Sequence, residues 1–394
     1  MYTPITDHIY HVGVNERSLK KFENLWPIPE GIDYNAYLIV DEKVALIDSN
    51  GQETQTGLKQ HILNTLHDKP IDYLIVNHME PDHSQGISAL VKEYPDLIVI
   101  GNKKTIDMLH GFYDIVCDTR IIEEGEDIHL GKHILQFFIT PMVHWPETMM
   151  TYEKHTQSLF SGDAFGCYGA LNGNAIDSQI DTTPYWSEMR RYYATIVGKY
   201  GIPVQTALKK LAQIPIKRIC STHGPVWEEN MQKVIQQYDR YSRYEAEKGV
   251  VIAYGSMYGN NTLAAEFLAD ELSTLGVRDI ILYDLNVTDI SYVLSALFKY
   301  NTLILGSSVY NGSLLPIVKT LMAAIEMRGI KDRTYGCFGT YAWSVAPLKQ
   351  LEELAEQLKW EFPHPVVTQQ YTLNAQSKAD LKKLASAIVT KINA

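Results

Sequence analysis

From Gly249 to the C-terminus, apolar runs of strand length alternate with amphipathic stretches of helical length, an order that few folds accept. GVVIAYG reads as a strand, TLAAEFLADELSTLG as a helix, DIILYDL as a strand, ISYVLSALFKY as a helix and TLILGSS as a strand. A helix near 316–328, the strand TYGCFGT, a helix near 347–359, the strand PVVTQQ and a last helix through 378–393 complete five units. Helices at every crossover specify a doubly wound, five-stranded parallel sheet, because parallel neighbours need a long return connection.

The preceding 248 residues read differently. DHIYHVGV, YNAYLIV and KVALID are three short strands set apart by turn or charged residues. IDYLIVNH (71–78) is an apolar run that ends polar, and SQGISALVKEY after it has helical periodicity. LIVIGN, ILQFFIT, SLFSGD and RICSTHG repeat the theme. Each hands a polar residue to the C-terminal end of a strand, where α/β folds gather their chemistry. Residues 225–248 form a charged helical stretch, so the chain divides into residues 1–248 and 249–394. A length of 394 residues agrees with two domains, and 45% hydrophobic with 21% charged residues excludes disorder and coiled coil.

Charge and cysteine usage narrow the partners. The 35 basic and 46 acidic side chains leave a net charge of -11, which opposes a phosphate backbone and argues against nucleic acid. No stretch approaches the ~20 apolar residues of a membrane helix, and the N-terminus lacks a basic segment leading into an apolar one. A cytoplasmic location away from membranes is expected. Cys117, Cys167, Cys220 and Cys337 lie far apart without a CxxC pair, and read as small buried apolar residues rather than disulfides or thiolate ligands.

The densest chemistry is NHMEPDH, where His78, Glu80, Asp82 and His83 fall within six residues just beyond a buried strand. His144 in MVHWPETM, Asp163 in FSGDAFG and His223 in CSTHGP each follow an apolar strand, so strand ends meeting at one sheet edge would bring all seven together. Histidine and carboxylate without thiolate suit a first-row divalent metal rather than a structural zinc site. Seven candidates exceed one tetrahedral ion and suit two, with one carboxylate able to bridge, and such a pair holds a small substrate between its ions. His61, His67, His110 and His155 have no such context and are assigned to the surface or to support.

The run His78-x-Glu80-x-Asp82-His83, with His144, Asp163 and His223, resembles the metallo-β-lactamase-like domain of the flavodiiron proteins. Hydrolases of that superfamily usually show HxHxDH; glutamate at the second histidine position adds an anionic oxygen and favours redox-active iron over zinc. The resemblance implies that His78, Glu80 and His144 hold one iron, that Asp82, His83 and His223 hold the other, and that Asp163 bridges them. Asp48, ending KVALIDS, looks like a family core acid that hydrogen-bonds near the site. Trp145 and Trp26 either line the pocket or are ordinary core aromatics.

In the second domain the loop YGSMYGN, Ser256, Met257, Tyr258, Gly259 and Asn260 included, precedes a helix whose N-terminal amides make a phosphate cradle. It is similar to the flavodoxin phosphate loop of the same family, whose pattern ends Gly-Asn-Thr. Here Asn261 intervenes, so either Thr262 reaches the phosphate or Asn261 replaces the hydroxyl donor. Ser307, Ser308, Val309, Tyr310, Asn311 and Gly312 look like one isoalloxazine loop. Thr340, Tyr341, Ala342 and Trp343 look like the other, with Trp343 able to stack on the ring. No GxGxxG fingerprint follows an early strand, so FMN is expected rather than NAD or FAD.

The resemblance covers essentially the whole chain. It implies an α/β protein, an N-terminal metallo-β-lactamase-like αββα sandwich plus a C-terminal flavodoxin-like five-stranded sheet. Its implied activity is reduction of O2 to water by four electrons, two from the metals and two from FMN, or of NO to N2O. An external donor (rubredoxin, another flavoprotein or a reduced deazaflavin) and a head-to-tail homodimer or dimer of dimers are implied too. The alternative is a zinc hydrolase whose flavodoxin-like half is regulatory.

Overall fold

The computed structural model describes residues 2–67 and 69–393. The chain divides into two compact units between Ser242 and Arg243.

In the first unit, two sheets face each other. The larger sheet runs in the order Thr3–Pro4, Ile9–His11, Tyr37–Val40, Val44–Ile47, Tyr73–Ile75, Ile98–Gly101 and Asp118–Ile121. It is antiparallel up to Val44–Ile47 and parallel beyond, where helices Gln55–Leu66 and Ile87–Glu93 make the crossovers. The second sheet is Asp127–His129, Ile134–Ile139, Met149–Glu153, Ser158–Gly162 and Arg218–Ser221.

Alternation along the strands decides the layers. Ala45, Ile47, Ile75 and Ile100 point between the sheets and pack with Leu135, Phe137, Met149, Phe160 and Cys220. Their neighbours Leu46, Leu74 and Val99 point the other way, onto Leu58, Ile62, Leu66, Leu90, Ile106 and Leu109 of the covering helices. The continuous apolar runs in the sequence are therefore strands buried on both faces.

The second unit is a parallel sheet in the order Ile280–Asp284, Glu247–Tyr254, Tyr300–Tyr310, Thr334–Tyr341 and Val367–Gln370. That order, 2-1-3-4-5, is doubly wound, with its switch point between the first and third strands in sequence. Helices Asn260–Thr274 and Ala375–Asn393 cover one face through Ala264, Leu268, Leu272, Leu381, Leu384 and Ile388 on Val250, Ile252 and Ile304.

Three local readings need correction. The helix expected over 225–248 is only Met231–Ser242: Val226 and Trp227 are held in bridges to Ile176 and Ile219, and Glu247 already begins a strand. DHIYHVGV breaks into Ile9–His11 and Val14–Glu16, which pair with different partners. Ser307 to Tyr310, read as a loop, continues strand Tyr300–Tyr310, and Asn311–Gly312 is the two-residue turn of a hairpin in which Tyr310 pairs with Ser313. Both turn residues have positive φ (48° and 73°), as a type I′ turn requires. All four cysteines are free; Cys167, Cys220 and Cys337 are buried and Cys117 is half-buried. No helix among the described residues is long and apolar enough to cross a membrane.

Candidate metal centre and flavin loops

The seven predicted donors come together. His78 and Glu80 lie in the loop after strand Tyr73–Ile75, and Asp82 and His83 in the short helix Pro81–Ser84. His144 precedes strand Met149–Glu153, while Asp163 and His223 follow strands Ser158–Gly162 and Arg218–Ser221. They form two groups, His78, Glu80, His144 and Asp163, and Asp82, His83 and His223, with the ligand atoms of each group within 4.8 Å of one another.

Asp163 serves both. Its Oδ2 is 3.0 Å from His144 Nε2 and 3.6 Å from His78 Nε2; its Oδ1 is 3.0 Å from His83 Nε2 and 3.8 Å from His223 Nε2. Glu80 Oε2 lies 3.1 Å from both His78 Nε2 and His144 Nε2. Asp82 Oδ2 is 3.2 Å from His83 Nε2 and 3.4 Å from His223 Nε2. Ligand bonds of about 2.1 Å in tetrahedral array leave donors roughly 3.4 Å apart, the spacing seen here.

Tautomers follow from the outer contacts. His223 Nδ1 donates to the Asp33 carbonyl at 2.6 Å, and a carbonyl only accepts. In the neutral ring Nε2 therefore turns a lone pair toward two carboxylates. Likewise His78 Nδ1 is 2.7 Å from Glu147 Oε1, which also accepts from the Met79 amide. Acceptors facing acceptors need a cation between them, and imidazole held through its far nitrogen is the usual arrangement of a metal ligand. Both oxygens of Asp82, both nitrogens of His83 and His223 Nε2 are buried with no well-formed hydrogen bond among the described residues. Without a metal, protons take the cation's part. Burial pushes His144 and His223 down, but contacts with Asp163 and Glu80 in one case and with Asp82 and Asp163 in the other hold both up at about 9. Burial likewise opposes charge on Glu80 and Asp163, yet the histidines keep both carboxyls below their usual range.

Several supporting residues carry no sequence signal of their own. The rings of Phe22, Tyr34 and Tyr192 stand 5.3, 5.4 and 5.5 Å from that of His223. Trp145 packs edge-on at 5.3 Å from His78, whereas Trp26 is buried within the hairpin Lys21–Phe22 and Trp26–Pro27. Glu23, in the turn of that hairpin, has a carboxyl that turns inward to bond Glu80; desolvation of that carboxyl and the Glu80 charge raise it to about 9. Glu147 follows His144 by three residues, the one spacing that marks it in advance. Asp48 accepts from the Asn77 amide at 2.7 Å and side chain at 3.0 Å and belongs to neither donor group.

Asn35 braces the His223 loop by donating to the Ser221 and Gly224 carbonyls at 3.1 and 2.8 Å, and its Oδ1 accepts from His11 at 2.6 Å. Burial lowers His11 to about 4, against the Asn35 bond. The unfolded chain binds that proton below about pH 6.5 and the folded one only below about 4, so stability falls as pH drops through this window. The loss is about 3 kcal/mol at 1.36 kcal/mol per pKa unit. Urea midpoints between pH 7 and 4 should show it, and His11→Gln should flatten that part of the curve.

At the switch point of the second unit, Ser308 Oγ joins Asn261 Nδ2 at 3.0 Å and Thr340 Oγ1 at 3.1 Å, so all three candidate flavin segments meet. Ser256, Met257, Tyr258, Gly259 and Asn260 precede or open the 15-residue helix Asn260–Thr274, which has no side-chain cap. Its Gly259 lies at φ 82°, and no atom stands within 4 Å of where a Cβ would sit, leaving the first amides open toward an anion. Asn261 also donates to the Gly255 carbonyl at 2.8 Å, and Thr262 bonds the Tyr254 hydroxyl, so both side chains are engaged. Ser307 Oγ is spent on the Leu315 amide, while Tyr258 and Trp343 are exposed on the rim.

Residues 32–224 match the family model described as ODP family beta lactamase, a span running from the strand of Asp33 to the loop of His223. A nitric oxide reductase of Moorella thermoacetica is 31% identical over 370 residues, 92% of each chain. The solved rubredoxin oxygen:oxidoreductase of Desulfovibrio gigas superposes with a TM-score of 0.94 at 27% identity, covering 100% of this chain and 99% of that one. A flavo di-iron protein of Thermotoga maritima superposes at 0.90 with 25% identity, covering 100% of this chain and 98% of that one. Sharing both halves in the same order with these relatives, the chain belongs to the flavodiiron protein family.

Proposed function

We propose that this chain is an oxidoreductase that reduces O2 to water, NO to nitrous oxide, or both. The observation that carries the reading is the pair of donor groups joined through the two oxygens of Asp163. The unit up to Ser242 is the diiron domain and the unit from Arg243, which begins a few residues before the boundary expected at 248/249, is the FMN domain. His78, Glu80 and His144 hold one iron; Asp82, His83 and His223 hold the other; Asp163 spans both.

When bound, the irons and FMN supply the electrons that the reduction consumes. The chain's own residues fix the geometry. Glu147 and the Asp33 carbonyl set which imidazole nitrogens face inward, and Trp145, Phe22, Tyr34 and Tyr192 shield the centre from water. Backbone amides after Gly259 hold the FMN phosphate, because the Asn261 and Thr262 side chains are engaged elsewhere. Ser307–Gly312 and Thr340–Trp343, at the ends of two neighbouring strands, would flank the flavin ring. An external rubredoxin, flavoprotein or reduced deazaflavin feeds the flavin in the cytoplasm. A head-to-tail homodimer or dimer of dimers is the active form, and an active monomer on gel filtration would contradict that assembly.

Metal and flavin analysis of protein purified without added metal should give roughly two irons and one flavin per chain, followed by anaerobic single turnovers that consume O2 or NO. Zinc without flavin would overturn the reading and support a hydrolase. Glu147→Gln should weaken iron retention roughly 10–100-fold, measured as the rate of iron loss to a chelator; an unchanged rate would deny Glu147 its positioning role.

A further inference from the structure

On the first unit, outside the seven-donor centre, the rings of His8 and His155 each pack edge-on against that of His133. His133, between strands Asp127–His129 and Ile134–Ile139, is 1% exposed; its Nδ1 faces the Glu153 carboxylate and its Nε2 has no hydrogen-bond partner among the described residues. A buried imidazole nitrogen left unsatisfied calls for an explanation. The rings of the exposed residues His8 and His155 lie 5.6 and 5.4 Å from that of His133. Glu153, fully buried, places Oε1 3.1 Å from His133 Nδ1, and the same carboxylate is fixed by the amides of His155 and Thr156, each at 2.7 Å. A carboxylate behind one nitrogen is the outer contact that sets a metal-binding histidine and leaves Nε2 to the ion.

We propose that His8, His133 and His155 form a separate binding site for one divalent transition ion of the zinc or copper class. The two ring spacings to His133 suit it. Metal–nitrogen bonds of 2.0–2.1 Å at a tetrahedral angle put the centroids of two bound imidazoles about 5 Å apart. Among the described residues only the seven donors of the centre lie within 4.8 Å of one another in groups of three or more, so the rings must turn before their nitrogens share one ion. His8 and His155 are exposed, so their rings turn without repacking the core, while His133 stays fixed behind Glu153. Imidazole donors at a surface rim favour zinc or copper over calcium or magnesium, and a water completes the coordination. The site does not depend on what fills the seven-donor centre.

The test uses the full chain with its iron complement and any affinity tag removed. Zinc is added, the protein is passed through a desalting column, and zinc and iron are quantified in the same sample. Wild type should retain one zinc per chain with iron unchanged. His8→Ala and His155→Ala, both exposed and so safe for folding, should each weaken retention on the order of tenfold or more while leaving flavin content unchanged. With copper in place of zinc, nitrogen splitting in the electron paramagnetic resonance spectrum should disappear in the same variants. Equal zinc retention in wild type and both variants, zinc bound only as iron leaves, or no retained zinc would each overturn the proposal.

Discussion

Asp163→Ala should abolish turnover with O2 and with NO and strip the protein of most of its iron. This one carboxylate faces both donor groups, through Oδ2 to His144 and Oδ1 to His83, so a single substitution touches both. A metal contributes several kcal/mol of charge stabilisation, and each 1.36 kcal/mol is tenfold in rate, which puts the loss at about a thousandfold or more. The variant also leaves the Thr222 hydroxyl without the acceptor it meets at 2.6 Å. Iron content and single-turnover rates check the expectation, with flavin content as the sign that the chain has folded. Two irons retained at wild-type turnover would refute the shared role of Asp163.

Gly224→Ala should damage fold and site together. Gly224 follows His223 at φ 85°, a region that costs an L-residue roughly 1–2 kcal/mol. A Cβ there would run into Cys167 Sγ, with the Cys167 amide 3.4 Å away, and overpacking typically adds about 1–3 kcal/mol. The sum, roughly 2–5 kcal/mol, falls on a loop held by Asn35 and by the Asp33 carboxylate on the Gly224 amide. Relief requires shifting His223, and displacement by about 1 Å can cost a hundredfold in rate. A lowered urea midpoint together with iron loss is the expected result; wild-type stability would mean that Cys167 yields freely.

The seven donors were legible because each ends an apolar strand, and residues at strand ends stay near one another whatever the loops between them do. The rings against His223 were not. Phe22 and Tyr34 look in sequence like any aromatic of a short strand, and only the fold brings them from 201 and 189 residues away. The helix over 225–248 was overextended for a related reason. Val226 and Trp227 satisfy a helical pattern, but bridges to Ile176 and Ile219 override local preference. In the flavin half the five units could be read from periodicity alone. The side chains of Asn261 and Thr262 could not, since their partners Ser308 and Tyr254 belong to other segments.

Each donor group draws on both faces of the sandwich: His78 and Glu80 from the larger sheet oppose His144 and Asp163 from the smaller, and Asp82 and His83 oppose His223. An ion seated in either group is thus a rivet through two plates. Iron supply then governs more than catalysis, because a chain starved of metal would gape along this seam, and its exchange of amide hydrogens there would report loading before any assay does.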